Sequence, residues 1–170
     1  LAAAAIMLIL SRAEVEEVLL DVEWSTIGFF AGLFVVVGGL AETGVIEMLA
    51  NALIDATGGD LFLTIMIMVW ASAIISSFLD NIPLVATLIP IVQTMEAAGL
   101  DVMPYWWAIS LGACIGGIGT LIGASANVVL SGISKNNGHP ITFGQYFKIG
   151  FPMMILSIIV CSVFLLIRFA

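Results

Sequence analysis

The stretch "SSFLDNIPLVATLIP" (residues 76–90) decides how this chain is read. It sets Asp80, Asn81, Pro83 and Pro90 in one of the most apolar parts of the sequence. An ionised aspartate in hydrocarbon costs at least about 2.5–3.5 kcal/mol on insertion scales. Pro83 lacks an N–H and disfavours helix at Ile82. Together these residues predict an unwound backbone beside a carboxylate. Unwound backbone at membrane depth is tolerated only where it is buried in protein or lines a water-filled cavity.

The surroundings are membrane-like. The chain has 170 residues, 62% hydrophobic and 9% charged, against about 25% charged in a soluble domain. Its four Lys and Arg and twelve Asp and Glu are too few to coat a soluble domain of this size. Residues 24–41, 61–79, 105–134 and 149–167 carry no charge at all. Spanning helices need roughly 17–25 apolar residues, and the alternation of barrel strands is missing, so the reading is all-α and integral to the membrane. The net charge of −8 argues against a nucleic-acid partner. Cys114 and Cys161 lack metal-ligand spacing and read as packing residues, and His139 reads as a solvated loop residue.

The run Leu1–Leu10 is about half a bilayer thick and predicts a truncated helix, hence a piece of a longer protein. Residues 11–24 predict an amphipathic turn or a solvated helix end, with Trp24 as an interfacial anchor. Residues 24–41 predict a full span, with Gly44 as its C-cap. In "VIEMLANALID", Ile46, Leu49 and Leu53 share one face and Glu47, Asn51 and Asp55 another, which predicts an arm along the interface.

Residues 61–79 are long enough to cross, but the break at Asp80 follows at once and only about fourteen apolar residues come after it. We read 61–96 as a re-entrant hairpin. The rival is one kinked helix, which at about 1.5 Å per residue would far exceed a core of about 30 Å. Residues 105–134 read as a broken helix with its interruption at "GASAN" (123–127). Gly112, Gly116, Gly119 and Gly123 leave one face bare, beside Ala113, Gly117, Thr120 and Ala124. Such a face permits close helix packing and the close approach of a hairpin tip. A last span is expected over about 146–168.

Carbonyls, amide oxygens and a carboxylate suit a hard cation such as sodium, whereas a helix N-terminus suits an anion. Secondary transporters build sites from paired interrupted helices in this way. The candidate ion or substrate residues are Asp80 and Asn81 in one break and Ser125 and Asn127 in the other. Asp80, Asn81 and Asn127 are the candidate sodium ligands. Ser77, Pro83, Gly119, Thr120 and Gly123 are supporting residues, with Ser76 weaker. The plain alternative is that Asp80 caps the second half-helix while Ser125 and Asn127 bond across helices.

"SSFLDNIPLVATLIPIV" (76–92), "GACIGGIGTLIGASANVV" (112–129) and "FKIGFPMM" (147–154) resemble the C-terminal half of the ion transporter superfamily. The arm concerned holds the arsenite permease ArsB, the NhaD sodium/proton antiporters and the melanosomal P protein. "DVEWSTIGFFAGLFVVVGGL" (21–40) is similar to the scaffold helix before the hairpin. The resemblance implies that residues 1–170 are one of two inverted repeats and that the N-terminal repeat is the missing partner. It also implies a site between the repeats and, as in many relatives, a homodimer.

The expected function is secondary transport of an inorganic ion or small anion, coupled to sodium or protons, with no cofactor. The alternatives are a non-transporting scaffold or assembly subunit and, behind both, a dicarboxylate or citrate symporter. The Asp80-Asn81-Ile82 tip departs from the Ser-Asn-Thr tip of the dicarboxylate relatives. No HExxH, GxSxG or paired catalytic carboxylates appear in the apolar runs, so an enzyme is not expected. The distribution of Arg12, Lys135, Lys148 and Arg168 predicts the first three in the cytoplasm and the C-terminus outside.

Overall fold

The computed structural model describes residues 24–169 together with Met7 and Val18. The expectations for residues 1–10 and for most of the turn before Trp24 fall outside these residues. Every regular element among them is an α-helix. In chain order these are α1 (Trp24–Glu42), α2 (Val45–Thr57), α3 (Leu61–Ser76), α4 (Asn81–Ala97), α5 (Met103–Gly116), α6 (Ser125–Asn136) and α7 (Phe143–Phe169). The chain divides into two compact units, residues 1–36 and 37–170, and the second contains the site.

The helix ends follow from local chemistry. The amide of Thr43 bonds to Gly39 O (3.0 Å), and Gly44 then takes φ +75°, the left-handed conformation that ends helices. On α2, Glu47, Asn51 and Asp55 stay exposed as expected, while of the apolar face Ile46 is buried, Leu53 is half-buried and Leu49 is exposed, Ala50 being buried in its place. Asp60 caps α3 by accepting from the Leu63 amide at 2.7 Å. Among the described residues, only α7 is long and apolar enough by itself to cross a membrane.

Helix α3, the first helix of the 61–96 pair, has 16 residues, about 24 Å of rise against a core of about 30 Å. Beyond Ser76 the amides of Phe78 and Leu79 both bond to Ile75 O, at 3.0 Å each. One expectation from the sequence is corrected: Pro83 does not unwind Ile82, because α4 begins at Asn81 and includes Ile82. Pro83 lies in the first turn, where its missing N–H would have had no partner in the helix. The unwound residues are 77–80.

Helices α3 and α5 pack most extensively. Tyr105 meets Thr64, Gly112 meets Ser72 and Gly116 meets Ser76, so the two run parallel. A Cβ on Gly112 would lie 2.6 Å from Val69 O, and one on Gly116 would lie 2.7 Å from Ser76 Cβ. Helix α7 runs antiparallel to both. Its Ser162 Oγ accepts from Trp70 Nε1 at 3.1 Å, while Met154, Ile158 and Leu165 are fully buried. Ile65, Val69, Tyr105, Ala108 and Ile109 complete this core. Helix α4 rests on α2 and α5 more than on α3.

Candidate functional site: two facing breaks

The parallel packing of α3 and α5 carries the two interruptions to the same place. Residues 77–80 follow α3, and residues 117–124 follow α5. The expected interruption at 123–127 is therefore displaced: Ser125, Ala126 and Asn127 form the first turn of α6. The physical reason is the run from Gly116 to Gly123, whose four glycines pack without side chains around the buried Thr120. A Cβ on Gly119 would lie 2.5 Å from Met154 Sδ and 2.8 Å from Ser77 Cβ.

Four polar side chains bond across or around the breaks. Ser76 Oγ lies 2.7 Å from Ala113 O and 2.6 Å from the Asn81 amide. The Asn81 partner is its Oδ1, so the one hydroxyl proton of Ser76 is shared between two acceptors, Asn81 Oδ1 and Ala113 O. Thr120 Oγ1, fully buried, donates to Ser77 O. Asn127 Nδ2 donates to Gly117 O (2.8 Å) and Thr120 O (3.1 Å), closing the second break over itself.

Backbone oxygens gather where glycine leaves room. A Cβ on Gly123 would meet Ser77 O at 2.8 Å, Gly117 O at 2.9 Å and Ser76 O at 3.1 Å. The two amides, Asn81 and Asn127, both converge on Gly117. Of the bare face read from the sequence, Gly112 and Gly116 lie on α5, whereas Gly119 and Gly123 fall in the second break and approach residues 76 and 77 there.

Asp80 and Ser125 stand differently. Asp80 is half-buried, and its Oδ1 accepts only a long bond from the Ile82 amide, 3.4 Å. No hydrogen bond joins Asp80 to residues 117–127 among the described residues. Ser125 is exposed and makes no cap bond. The capping alternative for Asp80 therefore describes its local geometry. Residues 61–134 contain no Lys or Arg, so no basic side chain within this stretch can neutralise it.

Ser76 and Gly117 matter more than the sequence indicated. The signal for Gly117 was its place in "GGIG"; Ser76 gave no signal that separated it from Ser77. Among the described residues no group of three or more His, Cys, Asp or Glu is placed to hold a metal ion. The oxygens at the breaks are one carboxylate and otherwise neutral groups. Of three cavities of about 340, 180 and 420 Å³, none is lined by Asp80, Asn81, Ser125 or Asn127, and the third touches the second break at Ile118.

A helical membrane chain with two interruptions in contact is the class these observations define. The model of the citrate transporter family matches residues 1–112, and the chain belongs to that family. It is 41% identical over 169 residues to a 46 kDa membrane protein of Mycobacterium leprae (strain TN), covering 98% of this chain and 39% of that protein. It is 42% identical over 173 residues to an uncharacterized transporter of Mycobacterium tuberculosis (strain CDC 1551 / Oshkosh), covering 98% and 40%. The P protein of Homo sapiens is 42% identical over 170 residues, covering 95% of this chain and 20% of the P protein. The likeness to the P protein read from the sequence thus holds. The chain spans well under half of each relative.

Proposed function

We propose that this chain supplies one half of a secondary transporter for an inorganic ion or small anion, and that the facing breaks hold a coupling sodium ion or proton. The observation that supports it is the gathering of Ser76, Ser77 and Gly117 carbonyls near the Asn81 amide oxygen, with Asp80 next to Asn81 in the chain and no cation from residues 61–134. Oxygen donors of this kind suit a small hard cation. Residues 61–96 act as a re-entrant hairpin and 105–134 as the broken helix of one inverted repeat. The other repeat, in the longer protein, completes the site, as paired interrupted helices do in transporters. The role is transport, not catalysis.

Citrate, the substrate in the family's name, ranks below a smaller ion here. A tricarboxylate needs several donors or cations, and these two breaks present mainly acceptors. The deciding experiment is uptake by the full-length protein in proteoliposomes, with sodium and pH gradients varied separately and arsenite, chloride, citrate and dicarboxylates offered in turn. Flux that ignores both gradients removes the coupling-cation reading. Absence of flux for every solute favours the scaffold.

Two further outcomes are expected. Asn127→Ala lowers the apparent affinity for the coupling cation about tenfold, because it removes a neutral dipole that ties Gly117 O and Thr120 O in place. A change in maximal rate with unaltered cation affinity would count against it. The basic residues orient the chain by the positive-inside rule, with Lys135 in the cytoplasm and the C-terminus outside. Lys135→Cys in intact cells is therefore closed to an impermeant thiol reagent added outside, and ready labelling reverses the topology.

A further inference from the structure

Among the described residues a single hydrogen bond joins the first break (77–80) to the second (117–124): Thr120 Oγ1 donates to Ser77 O. Both residues are fully buried. The bond from Ser76 to Ala113 O joins the helices before the breaks, not the breaks themselves. The Thr120 hydroxyl also accepts from the Ile122 amide at 3.3 Å, so its one proton and a lone pair are both engaged. The Thr120 carbonyl holds the rest of the turn. It accepts from the Gly123 amide at 3.3 Å and from Asn127 Nδ2 at 3.1 Å. Residues 120–123 and the start of α6 are therefore tied to one threonine, and that threonine is tied to Ser77 O.

Ser77 O is also one of the carbonyls gathered at Gly123, 2.8 Å from where a Cβ there would stand. A carbonyl oxygen has two lone pairs, so Ser77 O can accept from Thr120 and face a cation at once. A cation drawn to that oxygen shifts it, and the hydrogen bond passes the shift to residues 120–123. Gly117, Gly119 and Gly123 have no side chain with which to form a second link of this kind. Coupling between two places needs an element that both can bias, and a short turn outside any helix is such an element.

We propose that Thr120 is a positioning residue that transmits cation occupancy of the first break to the second break and to the start of α6. The proposal rests on the reading that the breaks hold a coupling cation. Thr120 acts through Ser77 O and is not itself a ligand.

The test reads the second break by thiol labelling in the full-length protein, its native cysteines replaced by alanine. Ile122 is exposed, so Ile122→Cys is open to a maleimide. Saturating sodium at fixed pH, or protons in its absence, should slow the labelling about fivefold, the lower end of coupling between sites. Ile167→Cys, exposed near the end of α7, corrects for the titration of the thiol itself. Cation binding is read separately, as the gain in thermal stability that Asp80→Asn lacks. Thr120→Val keeps the shape and removes the hydroxyl. It should abolish the labelling response and keep the thermal gain, and Thr120→Ser should restore the response. Thr120→Ala takes the place of the valine variant if that one does not fold. A response that survives loss of the hydroxyl, or a serine variant that behaves like valine, overturns the proposal. Loss of the thermal gain together with the response overturns it too, since Thr120 would then serve binding and not transmission. So does a background protein, with Thr120 intact, that shows the thermal gain without a labelling response. If that protein shows no gain with sodium or protons, the coupling-cation reading itself fails, and this inference with it.

Discussion

Asp80→Asn is expected to leave the full-length protein folded and to abolish the dependence of transport on sodium and on pH. The folding half rests on geometry. Asp80 precedes α4 as its cap, and its bond to the Ile82 amide is long at 3.4 Å. Asparagine caps a helix as well as aspartate does, so the second half-helix keeps its start. The transport half rests on charge. Asp80 is the single carboxylate between residues 61 and 95, and residues 61–134 carry no Lys or Arg. Removing one charge of a desolvated pair costs about 3–5 kcal/mol, or roughly two to four orders of magnitude in cation affinity. Uptake measured against sodium concentration and against pH reads this directly. Wild-type dependence on both would make Asp80 a cap and nothing more.

The second large effect is structural. Gly116→Ala should lower stability by about 1–3 kcal/mol or more, the scale of overpacking a tight interior. Its new methyl would collide with Ala73 O and lie 2.7 Å from Ser76 Cβ and 2.9 Å from Ala73 Cα. Two of these three are backbone atoms, so no side-chain rotation relieves the contact and α3 must move away from α5. That movement would also stretch the bond from Ser76 to Ala113 O, which is 2.7 Å long. The loss should therefore appear in thermal unfolding in detergent and in cation affinity together. Gly132→Ala on α6 is the control. Nothing lies within 4 Å of its added methyl, and alanine is the better helix former. Equal effects from the two substitutions would refute the close-packing account.

Much of the architecture was legible in the residues. Charge-free runs and the scarcity of Lys and Arg demand helices in a bilayer, because lipid offers backbone groups no partner. Gly44 marked a helix end that the structure makes with positive φ. The charged face of α2 and the pair Gly112 and Gly116 of α5 were also visible, since helical period brings such residues into line, whereas Gly119 and Gly123 lie beyond the end of α5.

The limits of the breaks were not legible. Proline reads as a breaker, yet Pro83 sits in a first turn, where its chemistry is harmless. Ser125 and Asn127 read as an interruption, yet they start a helix. Local propensity cannot distinguish the end of one helix from the beginning of the next when both need the same residue types.

The sequence by itself determined an all-helical membrane chain with a carboxylate and two amides at polar interruptions, because composition and period are properties of the chain alone. Only the tertiary structure decided which of those groups meet. Ser76, Asn81, Thr120 and Asn127 bond across or around the breaks because α3 and α5 run parallel at glycine-limited distance, and that distance is set by residues far apart in the chain.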